Sequence, residues 1–331
     1  NISHNITGLW KFRFNSVNCI KVNILYRNSN KSCYLNPMIE KTDVIVIGAG
    51  PVGLFAIFEL GLLNISCHVI DNLDKAGGQC AELYPEKPIY DIPSRVKITG
   101  QQLTDDLLAQ ARPFSPVYHL NQQVEKIIKL DTNEWSVETS LKKTIQAKCI
   151  VIAAGAGSFV PRKIPIENLD HLENKKIMYA VRNKSIFENK KILIVGGGDS
   201  ALDWTNELSK IADVTLMHRR KDFRAAPDSV SKMLELEKDK KINFLLGQIN
   251  SVENSNNDKI TVVVKNDNET ESFEVDYLLP FFGLKMELGP IAEWGLNLHE
   301  NLIKVDTEKF ETSTPSIFAI GDINWYPGKL K

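Results

Sequence analysis

Two stretches of this 331-residue chain repeat one form: a short β-branched run, a glycine-rich turn, then the start of a helix. The first is Asp43-Val-Ile-Val-Ile47, followed by Gly48-Ala-Gly-Pro-Val-Gly53 and an apolar helical stretch from about Val52 to Leu63. The second is Lys191-Ile-Leu-Ile-Val195, then Gly196-Gly-Gly198-Asp199-Ser200-Ala201 and a helix through about Ile211. Uniformly apolar runs of this length belong in parallel sheets, where both faces are buried. Each turn therefore carries G-x-G-x-x-G (or A) in the strand–turn–helix setting of a dinucleotide site. Gly48 permits the tight turn, Gly50 lets backbone approach a pyrophosphate, and Gly53 packs helix on strand, a place that Ala201 takes in the second copy. The pyrophosphate rests on the amides of the helix N-terminus.

The two copies differ at the end of the next strand. After the first, the strand Cys67-His-Val-Ile70 ends at Asp71, 23 residues beyond Gly48. A carboxylate there suits the two hydroxyls of an unphosphorylated adenosine ribose, as in FAD or NAD. After the second, the strand Val214–Met217 ends in His218-Arg219-Arg220, with Arg224 close behind. A guanidinium fork makes bidentate contacts to a ribose 2′-phosphate, so this site is read for NADP(H). Together the two sites imply FAD plus NADPH, with hydride passing from nicotinamide to flavin.

Composition narrows the class further. Residues 1–37 hold five basic residues and no Asp or Glu, which leaves 35 of the chain's 40 basic residues against all 41 acidic ones in the remainder. A body that acidic offers no footprint for nucleic acid. Val44 to Leu63 has one charge in twenty residues, Glu59, but Gly48-Ala-Gly-Pro51 breaks it into two elements rather than a membrane span. The five cysteines form no C-x-x-C pair, which points to a reducing, cytoplasmic setting. The six histidines are scattered, and no nucleophile–base or metal-ligand constellation stands out; neither a catalytic side chain nor a metal is expected. Residues 1–37, rich in Asn and lacking sustained periodicity, read as a poorly ordered leader outside the natural protein, with Met38 just ahead of the first strand.

Further segments accompany the fingerprints: Gly77-Gly78-Gln79, Leu83-Tyr84-Pro85-Glu86-Lys87, Gly155-Ala-Gly-Ser-Phe159, and Gly321-Asp322 with Tyr326-Pro-Gly-Lys329. Over about residues 41–330 the chain resembles the thioredoxin-reductase-like ferredoxin–NADP reductases of bacteria, within the two-domain flavoprotein disulfide-reductase superfamily. No cysteine lies in 160–285, and Pro85 stands where a C-x4-C partner of Cys80 would be, so the dithiol route of the disulfide reductases is closed. The resemblance implies FAD contacts from Asp71, Gln79, Tyr84, Val124, Phe159 and Asp322, with Tyr84 stacked on the isoalloxazine. NADPH then falls to Gly196, Gly198, Asp199, Ser200, Ala201, His218, Arg219, Arg220 and Arg224.

The expected fold is α/β, with two Rossmann-like three-layer domains. The FAD domain is discontinuous, 38–159 plus 285–331, and the NADPH domain, 160–284, is inserted in it. Since the chain stops nine residues past Asp322 and the family continues with a helix over the flavin, the FAD domain reads as truncated. The implied activity is electron transfer between NADPH and ferredoxin or flavodoxin, by a homodimer. Three other readings stay open from residues alone: a reductase of a quinone or thioredoxin-like protein, a flavin monooxygenase, and a non-catalytic flavin-binding scaffold.

Overall fold

The computed structural model describes residues 39–155, 157–255, 258–266 and 269–329; the leader reading of 1–37 falls outside them. Strand β1 (Val44–Ile47) is buried at every position. It passes through the Gly48–Gly50 turn into helix α1 (Pro51–Leu62), whose Pro51 sits in the first turn, where no N–H is needed. The chain continues through β2 (Cys67–Ile70), α2 (Gly78–Glu82), α3 (Gly100–Ala111) and β3 (Val117–His119). Helix α3 opens with a reciprocal cap: Thr99 Oγ1 accepts from the Gln102 N–H at 3.1 Å, and Gln102 Oε1 accepts from the Thr99 N–H at 3.0 Å. An antiparallel meander comes next, β4 (Val124–Lys129), β5 (Trp135–Thr139) and β6 (Thr144–Ala147), before β7 (Cys149–Ile152) returns beside β1.

Strand β8 (Ser158–Pro161) leads out of this unit to the second fingerprint. There β9 (Lys191–Val195), α4 (Asp199–Leu208), β10 (Asp213–His218), α5 (Pro227–Lys238) and β11 (Ile242–Leu246) alternate, followed by the meander β12 (Gln248–Asn254), β13 (Ile260–Asn266) and β14 (Glu269–Val275). Strand β15 (Tyr277–Pro280) closes a parallel sheet of order β11-β10-β9-β15. The return strand β16 (Leu284–Glu287) pairs antiparallel with β8. Strand β17 (Ile317–Ala319) then joins the first sheet beside β7, giving the all-parallel order β17-β7-β1-β2-β3.

Period-two alternation builds three layers in each unit. From β1, Val44 and Val46 pack with Leu54 and Ile57 on the helix side, while Ile45 and Ile47 pack with Trp135 and Val137 of the meander. From β9, Ile192 and Ile194 face Leu202 and Trp204, and Leu193 and Val195 face Val262 and Val264 of the second meander. Truncating a wholly buried side chain such as Ile45 or Trp204 to Ala costs about 2–5 kcal/mol. The α/β three-layer expectation is met in both units. One helix is shorter than its sequence pattern: α4 ends at Leu208 rather than near Ile211, because the Lys210 and Ile211 N–H groups turn back on Glu207 and Leu208 in tight i→i−3 bonds. Among the described residues, no helix is long and apolar enough to cross a membrane.

Candidate functional site

At the C-terminal ends of the first sheet's strands lies an open cleft. Ligands of open α/β sheets bind in such a crevice. Of the FAD residues expected from sequence, Gly48, Gly50, Asp71, Gln79, Tyr84, Val124 and Asp322 all line it. Gly53 lies beneath the turn instead, where a Cβ would sit 2.0 Å from the Gly48 carbonyl oxygen, so its role is close packing. Phe159 belongs to β8, and its side chain lies outside what the structure describes.

The glycines of the turn divide by cause. Gly48 has φ +106, and a Cβ there would meet the Ala153 carbonyl oxygen at 2.4 Å, so the chain itself demands glycine. Gly50 has an ordinary φ of −72. A Cβ at Gly50 would find only the Gly78 Cα, at 3.9 Å, so packing does not require glycine there. The bare backbone at the N-terminus of α1 borders the cleft, as close approach of a phosphate requires.

Asp71 closes the cleft at the end of β2. Its Oδ2 accepts the Ala49 N–H of the glycine turn at 2.6 Å, and its Oδ1 accepts the Leu73 N–H at 2.9 Å. Burial pushes this carboxyl above its ordinary range, opposed by backbone donors from Leu73, Ala49 and Asn72. Tyr84 is half-buried; its hydroxyl receives the Cys80 thiol at 3.8 Å, and Lys87 Nζ lies 5.7 Å from its ring centroid. Lys87 also pairs with Asp203 of α4 at 2.8 Å. Opposite, the Gly321–Asp322 turn is held by Lys329, whose ammonium donates to Gly321 O at 2.9 Å, Asp322 O at 3.2 Å, Asn324 O at 2.8 Å and Asn324 Oδ1 at 3.0 Å. Trp325 turns away from the cleft and stacks on His299 with centroids 4.1 Å apart.

The second fingerprint is built differently. Gly198, the N-cap of α4, would meet nothing within 4 Å if it bore a Cβ, whereas Ala201 is fully buried and acts by packing. His218 does not point freely at a ligand. Its ring lies where a Gly197 Cβ would come within 2.4 Å, its Nδ1 bonds the Arg220 carbonyl at 2.9 Å, and it stacks on Phe223. Burial lowers its pKa, the bond to the Arg220 carbonyl opposes this, and the charges of Arg219, Arg220 and Arg224 lower it further. Asp199 is likewise occupied, accepting the Ala226 N–H at 2.7 Å. Arg224 donates its own N–H to the Gly197 carbonyl at 2.8 Å, drawing the arginine loop across the glycine turn. Ser200, Arg219, Arg220 and Arg224 are exposed. The three guanidiniums take part in no ion pair among the described residues. The structure thus separates loop holders, His218 and Asp199, from groups free to bind.

Sequence reading missed several cleft residues: Gln122 and Gln123 before β4, and Leu288, Pro290, Ile291 and Trp294 after β16. Trp294 is fixed by its indole N–H to the Glu125 carbonyl at 3.4 Å. None carries a short motif; only tertiary structure brings these segments to the cleft. The clamp by Lys329 was visible only as part of a Tyr-Pro-Gly-Lys string.

Two parallel-sheet units, each with a glycine turn at a helix N-terminus, define a fold with two dinucleotide-type sites; the cysteines among the described residues, Cys67, Cys80 and Cys149, are free. The pyridine nucleotide-disulphide oxidoreductase family matches residues 42–330, and the chain belongs to that family. It is 58% identical over 292 residues to a ferredoxin–NADP reductase of Parvibaculum lavamentivorans, a match covering 88% of this chain and 85% of that protein. It is 54% identical over 293 residues to a ferredoxin–NADP reductase of Bradyrhizobium sp. strain BTAi1, covering 88% and 86%. Among solved structures, thioredoxin reductase from Lactococcus lactis aligns with a TM-score of 0.72 at 25% identity, covering 86% of this chain and 91% of that one.

Proposed function

We propose that this chain is an FAD-dependent oxidoreductase that moves electrons between NADPH and ferredoxin or flavodoxin. The observation that carries the reading is the opposite charge at matching places: Asp71 after the first fingerprint, three exposed arginines after the second. Relatives more than half identical over most of their length bear the name ferredoxin–NADP reductase.

The residues present fit both groups. Open backbone at Gly50 and Gly198 leaves room for two pyrophosphates at the helix N-termini. Asp71 keeps lone pairs for ribose hydroxyls beyond those used by Ala49 and Leu73. Tyr84 and Val124 supply apolar walls that exclude water from a ring system, with Gln79 at one end of the cleft. Asp322, on a turn fixed by Lys329, meets the polar chain between ring and phosphate. Arg219, Arg220 and Arg224 take the 2′-phosphate while Asp199 and His218 hold their loop, with Ser200 at the helix start and Gly196 and Ala201 shaping the turn. Bound FAD supplies the redox chemistry, accepting two electrons as hydride and releasing them singly; the protein's part is orientation and electrostatics.

The same reading assigns the FAD domain to 38–159 plus 285–331 and the NADPH domain to 160–284. It takes the protein as a cytoplasmic homodimer without nucleic-acid or membrane partners. The exposed apolar side chains Phe55 and Leu62 of α1 and Leu63 just after it, at 46, 56 and 70% exposure, support a protein contact there. A quinone or thioredoxin-like acceptor is the second reading; the buried Cys80 thiol, its pKa raised by burial and without a partner cysteine among the described residues, speaks against dithiol exchange. The test is anaerobic mixing of the FAD-loaded protein with NADPH or NADH, followed by flavin absorbance. At least tenfold faster bleaching by NADPH is expected; equal rates, or no flavin bound, contradict the assignment.

A further inference from the structure

The six histidines look unrelated along the chain, yet the fold brings two of them together. His68 of β2 and His119 of β3 stand on neighbouring strands, with 12% and 4% of their side chains exposed. Glu40, on a two-residue strand (Glu40–Lys41) that pairs with β6, reaches in between them. His119 Nε2 lies 3.0 Å from His68 Nδ1, and Glu40 Oε2 lies 3.5 Å from the His68 nitrogen and 3.6 Å from that of His119.

We propose that Glu40, His68 and His119 form a three-ligand site for a divalent transition-metal ion of the zinc class. Ligand atoms about 2.0–2.1 Å from tetrahedral zinc lie about 3.3 Å apart. The triangle of 3.0, 3.5 and 3.6 Å thus already approximates one face of the tetrahedron, and a fourth position remains for water. Two imidazoles and a carboxylate are the donor set this ion favours. The site is separate from the cleft, and its effect is structural: it ties the entering strand to β2 and β3, the last two strands at one edge of the first sheet.

Lys143 sets the terms of binding. Its ammonium holds the other Glu40 oxygen at 2.8 Å and faces His119 Nδ1 at 3.2 Å. A lysine only donates, so in the metal-free protein His119 Nδ1 accepts and its Nε2–H donates to His68 Nδ1. Metal binding at Nε2 moves that proton to Nδ1, where it faces the Lys143 ammonium. Lys143 must then withdraw to Glu40 alone, which its flexible, one-third exposed side chain permits. Lys143 therefore weakens the site without blocking it.

The experiment is a calorimetric titration of the full chain, with FAD present, by zinc chloride. Wild type is expected to take up about one equivalent of Zn²⁺, His68→Ala to bind at least tenfold more weakly, and Lys143→Met, which needs no new buried contact, at least threefold more tightly. If His68→Ala fails to fold, the tightening in Lys143→Met decides. No stoichiometric uptake by wild type, equal uptake by His68→Ala, or unchanged affinity in Lys143→Met overturns the proposal.

Discussion

Asp71 Oδ2 accepts the backbone N–H of Ala49 at 2.6 Å, so the carboxylate assigned to the ribose also anchors the glycine turn assigned to the pyrophosphate. One side chain fixes the spacing between the two halves of the nucleotide site. Because Asp71 is buried, losing its carboxylate takes the acceptor away from the Ala49 and Leu73 N–H groups at once.

Asp71→Asn keeps the shape but gives one acceptor atom where two are in use. A hydrogen bond to a charged group contributes about 1.5–3 kcal/mol, so FAD affinity should fall by roughly 10- to 150-fold. Flavin fluorescence titration of the apoprotein measures it. An unchanged Kd would remove Asp71 from the site.

Gly50 and Gly48 should respond to alanine in opposite ways. Gly48→Ala sets a side chain at φ +106 against the Ala153 carbonyl and should cost stability, about 1–3 kcal/mol from the backbone alone. Gly50→Ala meets no clash in the protein and should leave the melting temperature of the apoprotein nearly unchanged while weakening FAD at least tenfold. Paired thermal melts and FAD titrations separate them; tight FAD binding by Gly50→Ala would contradict the phosphate assignment.

Replacing Arg219 and Arg220 together with Ala should raise KM for NADPH by roughly 10- to 100-fold, the scale of one to two charge-assisted contacts. KM for NADH should move by no more than about twofold. Steady-state kinetics with both nucleotides provide the check, and a parallel rise for NADH would mean that the arginines serve the fold or the shared pyrophosphate.

Asp43 should shape the acid limb of stability. The Ser66 hydroxyl at 2.6 Å, Lys148 at 2.9 Å and the Ser66 N–H at 3.1 Å hold its pKa down to about 2. A folded pKa below the unfolded value of 3.8 means that the contribution is complete above about pH 4 and is lost as pH falls toward about 2. Asp43→Asn should therefore lower the melting temperature at pH 7 and lose less on acidification. Melts from pH 7 to 2.5 would expose an equal slope in both proteins, the contrary result.

The turns were legible because their chemistry is local. Val44–Ile47 and Lys191–Val195 announce buried parallel strands by composition, and the glycines after them have few other uses. The contrast between Asp71 and Arg219–Arg220 could be read for the same reason. What escaped was anything made by tertiary approach. His218 sits in the motif as a cation among cations, yet it packs on Gly197 and bonds the Arg220 carbonyl as a strut. Asp199 opens α4 as any acidic N-terminal residue does, and only the fold shows its bond to Ala226. Trp294 reaches the cleft from a segment with no short signature, the Lys329 clamp on the Gly321–Asn324 turn shows only in the fold, and His68 and His119 are 51 residues apart in sequence.

The central claim is that electrons pass between NADPH and ferredoxin through FAD held in the cleft beneath Gly50 and Asp71. The most direct measurement is cytochrome c reduction by the FAD-loaded protein with NADPH, and separately NADH, in the presence and absence of added ferredoxin. Strong stimulation by ferredoxin, with NADPH much preferred, is the predicted result. A flavin reduced by NADPH whose electrons reach cytochrome c no faster when ferredoxin is added would contradict the account.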